Sequence, residues 1–206
     1  MDGEKKGEEN ICRMVTAISN LMRASISNKR SLVRVKEEMK YIEDYLFIQE
    51  TRYGDKFTSY MEVDEALNEL EIPKMVIQTL VENAVVHGVE NATWDCFLYI
   101  SGEIQDDMAV FKVKDDGVGM SAEKLEALMK MEEEPEHKAE RTHTNLGIYA
   151  VQKRLEYVYH GKAKMTITSE QEKGNSGSVG NSVEKTRRRL WKMELQVMIL
   201  DDEYII

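Results

Sequence analysis

The sequence predicts an α+β fold, helices layered on a sheet, and three observations predict it. Apolar residues recur at helical spacing in three separate places: Ile11, Met14, Val15, Ile18, Leu21 and Met22; then Val76, Leu80 and Ala84; then Ile148, Val151, Leu155 and Val158. Residues 108–113 form a β-rich run, and residues 162–169 alternate as a half-buried strand does. Glycines at 117, 119 and 161 stand where those runs end.

Taken in order, the first stripe is that of one helix in a bundle. The second stripe places Asn83 and His87 four residues apart, so that at helical spacing both side chains share one face and reach one ligand. The run 108–113 leads into Asp115 and a turn whose glycines permit positive φ and close backbone approach. Residues 121–145, rich in Glu, Lys and Met and containing Pro135, have the makeup of a mobile lid; within them Ser121 can cap a short helix reaching Lys130, with Leu125, Leu128 and Met129 as its apolar side, before charge and Pro135 predict a loop. Residues 144–148 form a glycine-containing turn at the start of the third helix, which His160 and Gly161 end. Beyond the strand 162–169, residues 175–182 read as a Gly/Ser/Asn linker, followed by the basic run 185–189.

The chemistry sits in two of these segments. Asn83 offers a carbonyl oxygen beside helical donors, which suits a hydrated magnesium ion and the phosphates it carries. Asp115, fixed at a strand end, can accept the hydrogen bond of an exocyclic amine and so distinguish adenine from guanine. Each segment alone has a plain structural reading, a polar pair on a helix or an ordinary Asp-Gly turn. Together and in order they read as an ATP site.

Residues 80–88 (Leu-Val-Glu-Asn-Ala-Val-Val-His-Gly) and 115–119 (Asp-Asp-Gly-Val-Gly) resemble the asparagine box and the Asp-x-Gly-x-Gly box of the GHKL ATPases. The His-Gly ending resembles the two-component sensor histidine kinases in particular, as does the run 45–57, which is similar to their linker into the ATP domain. The resemblance implies the Bergerat fold, a two-layer α/β sandwich with a mixed sheet covered by helices on one face and preceded by a helical dimerisation segment. It implies ATP and Mg2+ as ligands, Asn83 on the metal, His87 near the phosphates, Asp115 and Gly117 at adenine, and Gly119 and Gly147 shaping the pocket. It further implies a homodimeric, membrane-anchored parent whose cytoplasmic kinase part passes phosphate from a histidine to a response regulator.

Departures from the family's pattern are equally specific. Its hydrolytic members carry a glutamate four residues before the asparagine; this chain has Thr79, a poor general base, which favours phosphoryl transfer over hydrolysis. Asn145 stands in place of the first glycine of the phosphate turn, and Asn tolerates left-handed backbone better than other non-glycine residues. The four histidines are His87, His137, His143 and His160, so the helical region offers no phosphoacceptor, and its first stripe resembles the second helix of the family's hairpin. Residues 193–203 look like the opening strand and acidic cluster of a response-regulator receiver domain, with the family's own final strand missing.

The expected organisation is therefore 1–50 helical segment and linker, 51–174 ATP domain, 175–192 flexible linker and 193–206 a truncated receiver-like start. Net charge of −10 argues against general nucleic-acid binding. Cys12 and Cys96 are too few and too distant in sequence for a disulfide framework or zinc site, and no apolar run is long enough to cross a bilayer. Two other functions fit the same residues: a degenerate ATP-binding regulatory module without kinase activity, and a GHKL-type ATPase. Lys138, Arg141 and His143 are candidate phosphate ligands of a closed lid, although charged solvated positions explain them as well.

Overall fold

The computed structural model describes residues 2–26, 31–106, 108–130, 143–170 and 193–199. Helices α1 (Asp2–Ile26) and α2 (Val35–Tyr53) pack against each other. Ala17 is buried between them, the Arg13 guanidinium lies 3.9 Å above the Phe47 ring, and Asn20 Nδ2 donates to Asp44 Oδ2 at 2.8 Å. Ile11, Val15, Ile18 and Met22 stay exposed, so α2 covers only part of the apolar stripe that makes α1 helical.

Between the two helices, β1 (Leu32–Arg34) pairs antiparallel with β3 (Glu71–Pro73) and fastens the start of α2 to the rest of the chain. The main sheet has the order β2 (Phe57–Val63), β4 (Cys96–Gln105), β5 (Met108–Asp115), β7 (Met193–Ile199), β6 (Ala163–Ser169). Its first pair is parallel and the other three antiparallel, the mixed sheet expected.

Side-chain alternation in the strands decides which face carries the helices. Cys96, Leu98 and Ile100 of β4 and Phe111, Val113 and Asp115 of β5 are buried, whereas Phe97, Tyr99, Lys112 and Lys114 on the other face are only half covered. The buried face joins one core with Met39, Ile42 and Leu46 of α2, Ile77 and Leu80 of α3 (Val76–Asn83), and Val151 and Leu155 of α5 (His143–Tyr159). This is an α+β sandwich with its helices on one face.

Two differences from the sequence reading concern boundaries. Residues 193–199, set apart there as a receiver-like start, form β7 of the five-stranded sheet, with Val197 and Ile199 fully buried. The sheet thus extends past residue 174 and holds a strand where one was expected to be missing. A run of alternating β-formers carries no label for the sheet it joins; here it satisfies the hydrogen-bonding edges of both β5 and β6. The linker 175–192 and the lid loop around Pro135, with Lys138 and Arg141, lie outside the described residues.

Candidate functional site

The site begins with a meeting of two glycines. After α3 the chain widens into a π-turn, Ala84–Val89, which brings Gly88 against the turn that follows β5. A Cβ on Gly88 would stand 2.3 Å from Asp115 Oδ1, and one on Gly117 would stand 2.3 Å from the Gly88 carbonyl carbon. Only glycine at both positions allows this approach. Val118 N–H then donates to Gly88 O at 3.3 Å, and Gly119 sits at φ +64°.

Asp115 faces inward because it shares the strand parity of Phe111 and Val113. Its Oδ1 accepts the Gly117 N–H at 3.0 Å, while its fully buried Oδ2 has no partner among the described residues. Burial pushes the carboxyl up to about 7; the Gly117 N–H pulls it down and neighbouring Asp116 adds to the rise. A buried acceptor left without a donor is costly, and a ligand N–H is the group that would satisfy it. The turn itself is held independently: Asp116 Oδ1 accepts Phe97 N–H at 2.6 Å, and Trp94 Nε1–H donates to Asp116 O at 3.0 Å.

Asp115 lines a cavity of about 310 Å³ together with His87, Gly88, Asn91, Val118, Gly119, Met120, Ser121 and Lys124. That is the lower end of the range for small-molecule sites and suits the nucleoside portion of a nucleotide. His87 is half-buried, and burial with nearby Lys124 lowers its pKa while Glu90 opposes them. Lys124, on α4 (Ala122–Lys130), and Asn91 were absent from the sequence reading. Asn91 Nδ2 donates to the Val86 and His87 carbonyls at 3.1 and 3.4 Å, tying down carbonyls of the π-turn. Nothing in the spacing of Lys124 separates it from the other charges of residues 121–145.

Asn83 occupies a neighbouring place outside that cavity's lining. Its Nδ2 donates to Thr79 O at 2.8 Å, an i−4 bond that presents the carbonyl oxygen as the outward end of the amide. The π-turn starts at the next residue, so the 3.6-residue spacing from which Asn83 and His87 were placed on one face gives way to a wider turn between them; His87 lines the cavity and Asn83 does not.

Gly147 was expected in a turn but lies in the second turn of α5, where its Cβ would come within 3.2 Å of Thr79 Cγ2 and 3.5 Å of Asn83 Nδ2. Its glycine identity is explained by close approach to the asparagine helix. Asn145 lies in the first turn of the same helix. The chain therefore brings His87, Asp115, Gly117 and Gly119 together, and Asn83 with Gly147 beside them.

The unpartnered Oδ2 of Asp115 fits an adenine amino group. Among the described residues no cluster of three or more His, Cys, Asp or Glu could hold a metal ion. Magnesium carried on phosphates, with one amide oxygen and water completing its shell, needs no such cluster.

Comparison with known proteins bears on the family and the fold. The family model for histidine kinase-, DNA gyrase B-, and HSP90-like ATPases matches residues 69–184, and that for histidine kinases matches residues 3–57. The sensor histidine kinase YesM of Bacillus subtilis is 26% identical over 167 residues, which is 81% of this chain and 27% of YesM. The sensor protein LytS of Oceanobacillus iheyensis is 29% identical over 143 residues, 69% of this chain and 24% of LytS. The chain thus spans about a quarter of the length of these curated relatives. Among solved structures, the nucleotide-free catalytic domain of histidine kinase ThkA matches with TM-score 0.51 at 16% identity, covering 82% of this chain and 95% of that one. Full-length ShkA in complex with AMPPNP matches with TM-score 0.52 at 12% identity, covering 94% and 36%. At these identities the structures speak for the fold.

Proposed function

This chain belongs to the histidine kinase-, DNA gyrase B-, and HSP90-like ATPase family as the ATP-binding catalytic part of a sensor kinase, and on that premise we propose that it transfers the ATP γ-phosphoryl group to a histidine on a separate phosphoacceptor helix. The observation that carries the reading is the buried, unpartnered Oδ2 of Asp115 at a cavity closed by the Gly88–Gly117 contact. Asp115 takes the adenine amino group, and Gly117 and Gly119 give the flat base its close backbone approach. His87 and Lys124 stand on the phosphate side, Asn83 offers its amide oxygen to Mg2+, and Gly147 and Asn145 place the start of α5 near the phosphates. When bound, Mg2+ neutralises phosphate charge.

Thr79 supports transfer over hydrolysis. Its hydroxyl donates to Met75 O at 2.6 Å and is no general base, so water near the γ-phosphate goes unactivated from that position. The exposed stripe of Ile11, Val15, Ile18 and Met22 supports a homodimer through α1, and the relatives' sensor role supports a response regulator as the final phosphate acceptor and a membrane-anchored parent. No helix among the described residues is long and apolar enough to cross a membrane.

Calorimetry with MgATP on the chain and on Asn83→Ala tests the site, and incubation with a separate acceptor helix tests the reaction. Acid-labile, base-stable phosphate on the helix is expected. Binding without transfer would leave a regulatory nucleotide module, and steady phosphate release without acceptor would make it an ATPase.

A further inference from the structure

Glu38 belongs to α2, yet the groups it satisfies belong to α3. It is a carboxylate with 1% exposure, and its Oε1 accepts the N–H groups of Ile77 at 2.7 Å and Gln78 at 3.2 Å, while Oε2 accepts that of Met75 at 3.1 Å. These are the donors that open the asparagine helix. Met75, its N-cap, is left-handed (φ 65°, ψ 23°) and gives no side-chain cap of its own. A helix start buried this way leaves its N–H groups unsatisfied unless another element supplies an acceptor, and here the acceptor comes from the segment that precedes the ATP domain.

The rest of the joint converges on the same turn. Arg154 of α5 donates to the Lys74 carbonyl, Lys74 N–H donates to Ser31 O at 3.0 Å, and Val35 N–H donates to Leu70 O at 2.9 Å. Burial raises the Glu38 carboxyl to about 7, against the pull of the three backbone donors and the Arg154 guanidinium. From this anchored end α3 runs eight residues, about 12 Å, to Asn83. A change of tilt or depth at its first turn therefore arrives at the Asn83 amide as a displacement of similar size. The adenine side touches the continuation of α3 at Gly88 but has an anchorage of its own as well, since Asp115 and Asp116 are held by β5, Phe97 and Trp94.

We propose that Glu38 is a positioning residue through which the α1–α2 segment sets the placement of Asn83, so that movement of that segment changes magnesium-dependent ATP binding more than it changes adenine recognition. The inference rests on the ATP reading of the site. It makes α2 the input side of a joint whose output is one amide oxygen.

The test compares the chain with Glu38→Gln and Glu38→Asp by calorimetry, using MgATP and, without metal, adenosine, alongside hydrogen exchange of residues 75–89. Glu38→Gln keeps an acceptor oxygen but turns an amide N–H toward a backbone donor. Its MgATP affinity is expected to fall roughly tenfold with adenosine affinity falling clearly less, Glu38→Asp falling between. Faster exchange at Ile77 and Gln78 should extend to Asn83. Equal loss of both ligands, or no loss of MgATP affinity despite faster exchange at Ile77 and Gln78, overturns the proposal. Exchange unchanged at those two amides also overturns it, by denying the clamp. If the unsubstituted chain binds neither ligand, the ATP reading itself falls, and this result is separable because the exchange pattern reports the clamp without nucleotide.

Discussion

Asp115→Asn separates the demands of stability from those of binding. The Asp115 carboxyl is raised from 3.8 to about 7, so the folded chain holds a proton there that the unfolded chain releases. A group with a raised folded pKa contributes stability below its unfolded pKa and loses it as pH rises through the folded one. A rise of that size corresponds to about 4 kcal/mol, an upper bound on what the buried charge costs above pH 7. Asparagine carries no charge, fits the same space against Gly88, and can turn its carbonyl to the Gly117 N–H. The variant is therefore expected to be more stable than the parent at pH 8, by roughly 1–3 kcal/mol, with the advantage vanishing toward pH 4. Glu38 titrates in both proteins and cancels from the comparison. Binding moves the other way. With the Asn carbonyl on Gly117, its amide N–H groups meet the amino group of adenine, donor against donor, and affinity should fall about 10–100-fold. Urea unfolding at pH 5 and pH 8 and calorimetry with MgATP measure both sides. A variant destabilised equally at both pH values, or one that binds nucleotide as tightly as its parent, would refute the reasoning.

The same titration predicts that adenosine, which does not itself titrate in this range, binds about tenfold more weakly at pH 6 than at pH 8, and that Asp115→Asn flattens the profile; calorimetry across pH decides it. Gly117→Ala should cost roughly 2 kcal/mol or more and abolish nucleotide binding, because its Cβ meets backbone of Gly88 that has no rotamer with which to yield; thermal melting and calorimetry on one preparation check both. Val197→Asp places a charge at a fully buried point of β7 and should lower the melting temperature sharply, whereas a segment independent of the sheet would tolerate the change with no shift.

Much of the fold was legible because its periods are local. Val76, Leu80 and Ala84 announce the asparagine helix, and Val151 and Leu155 announce α5, since burial of one helical stripe needs nothing but spacing. Strand order was not legible in the same way. The alternation of residues 195–199 says that a strand exists, and a likeness to another domain's first strand then gave it an address; pairing partners are set by distant edges, which spacing does not encode.

In the site, the same distinction separates what the motif fixed from what the backbone added. Asp115 was identifiable from its place at a strand end before glycines, and parity with Phe111 and Val113 turns it inward. The relation of Asn83 to His87 was inferred from an ideal helix, and the π-turn at Ala84–Val89 is what departs from it. That departure has a physical use. The wider turn moves Gly88 against Gly117, and the Gly88 Cα supplies the wall that deprives Asp115 of water. The irregular turn and the buried carboxyl thus meet at one wall of the cavity, where a Cβ on Gly88 would stand 2.3 Å from Asp115 Oδ1.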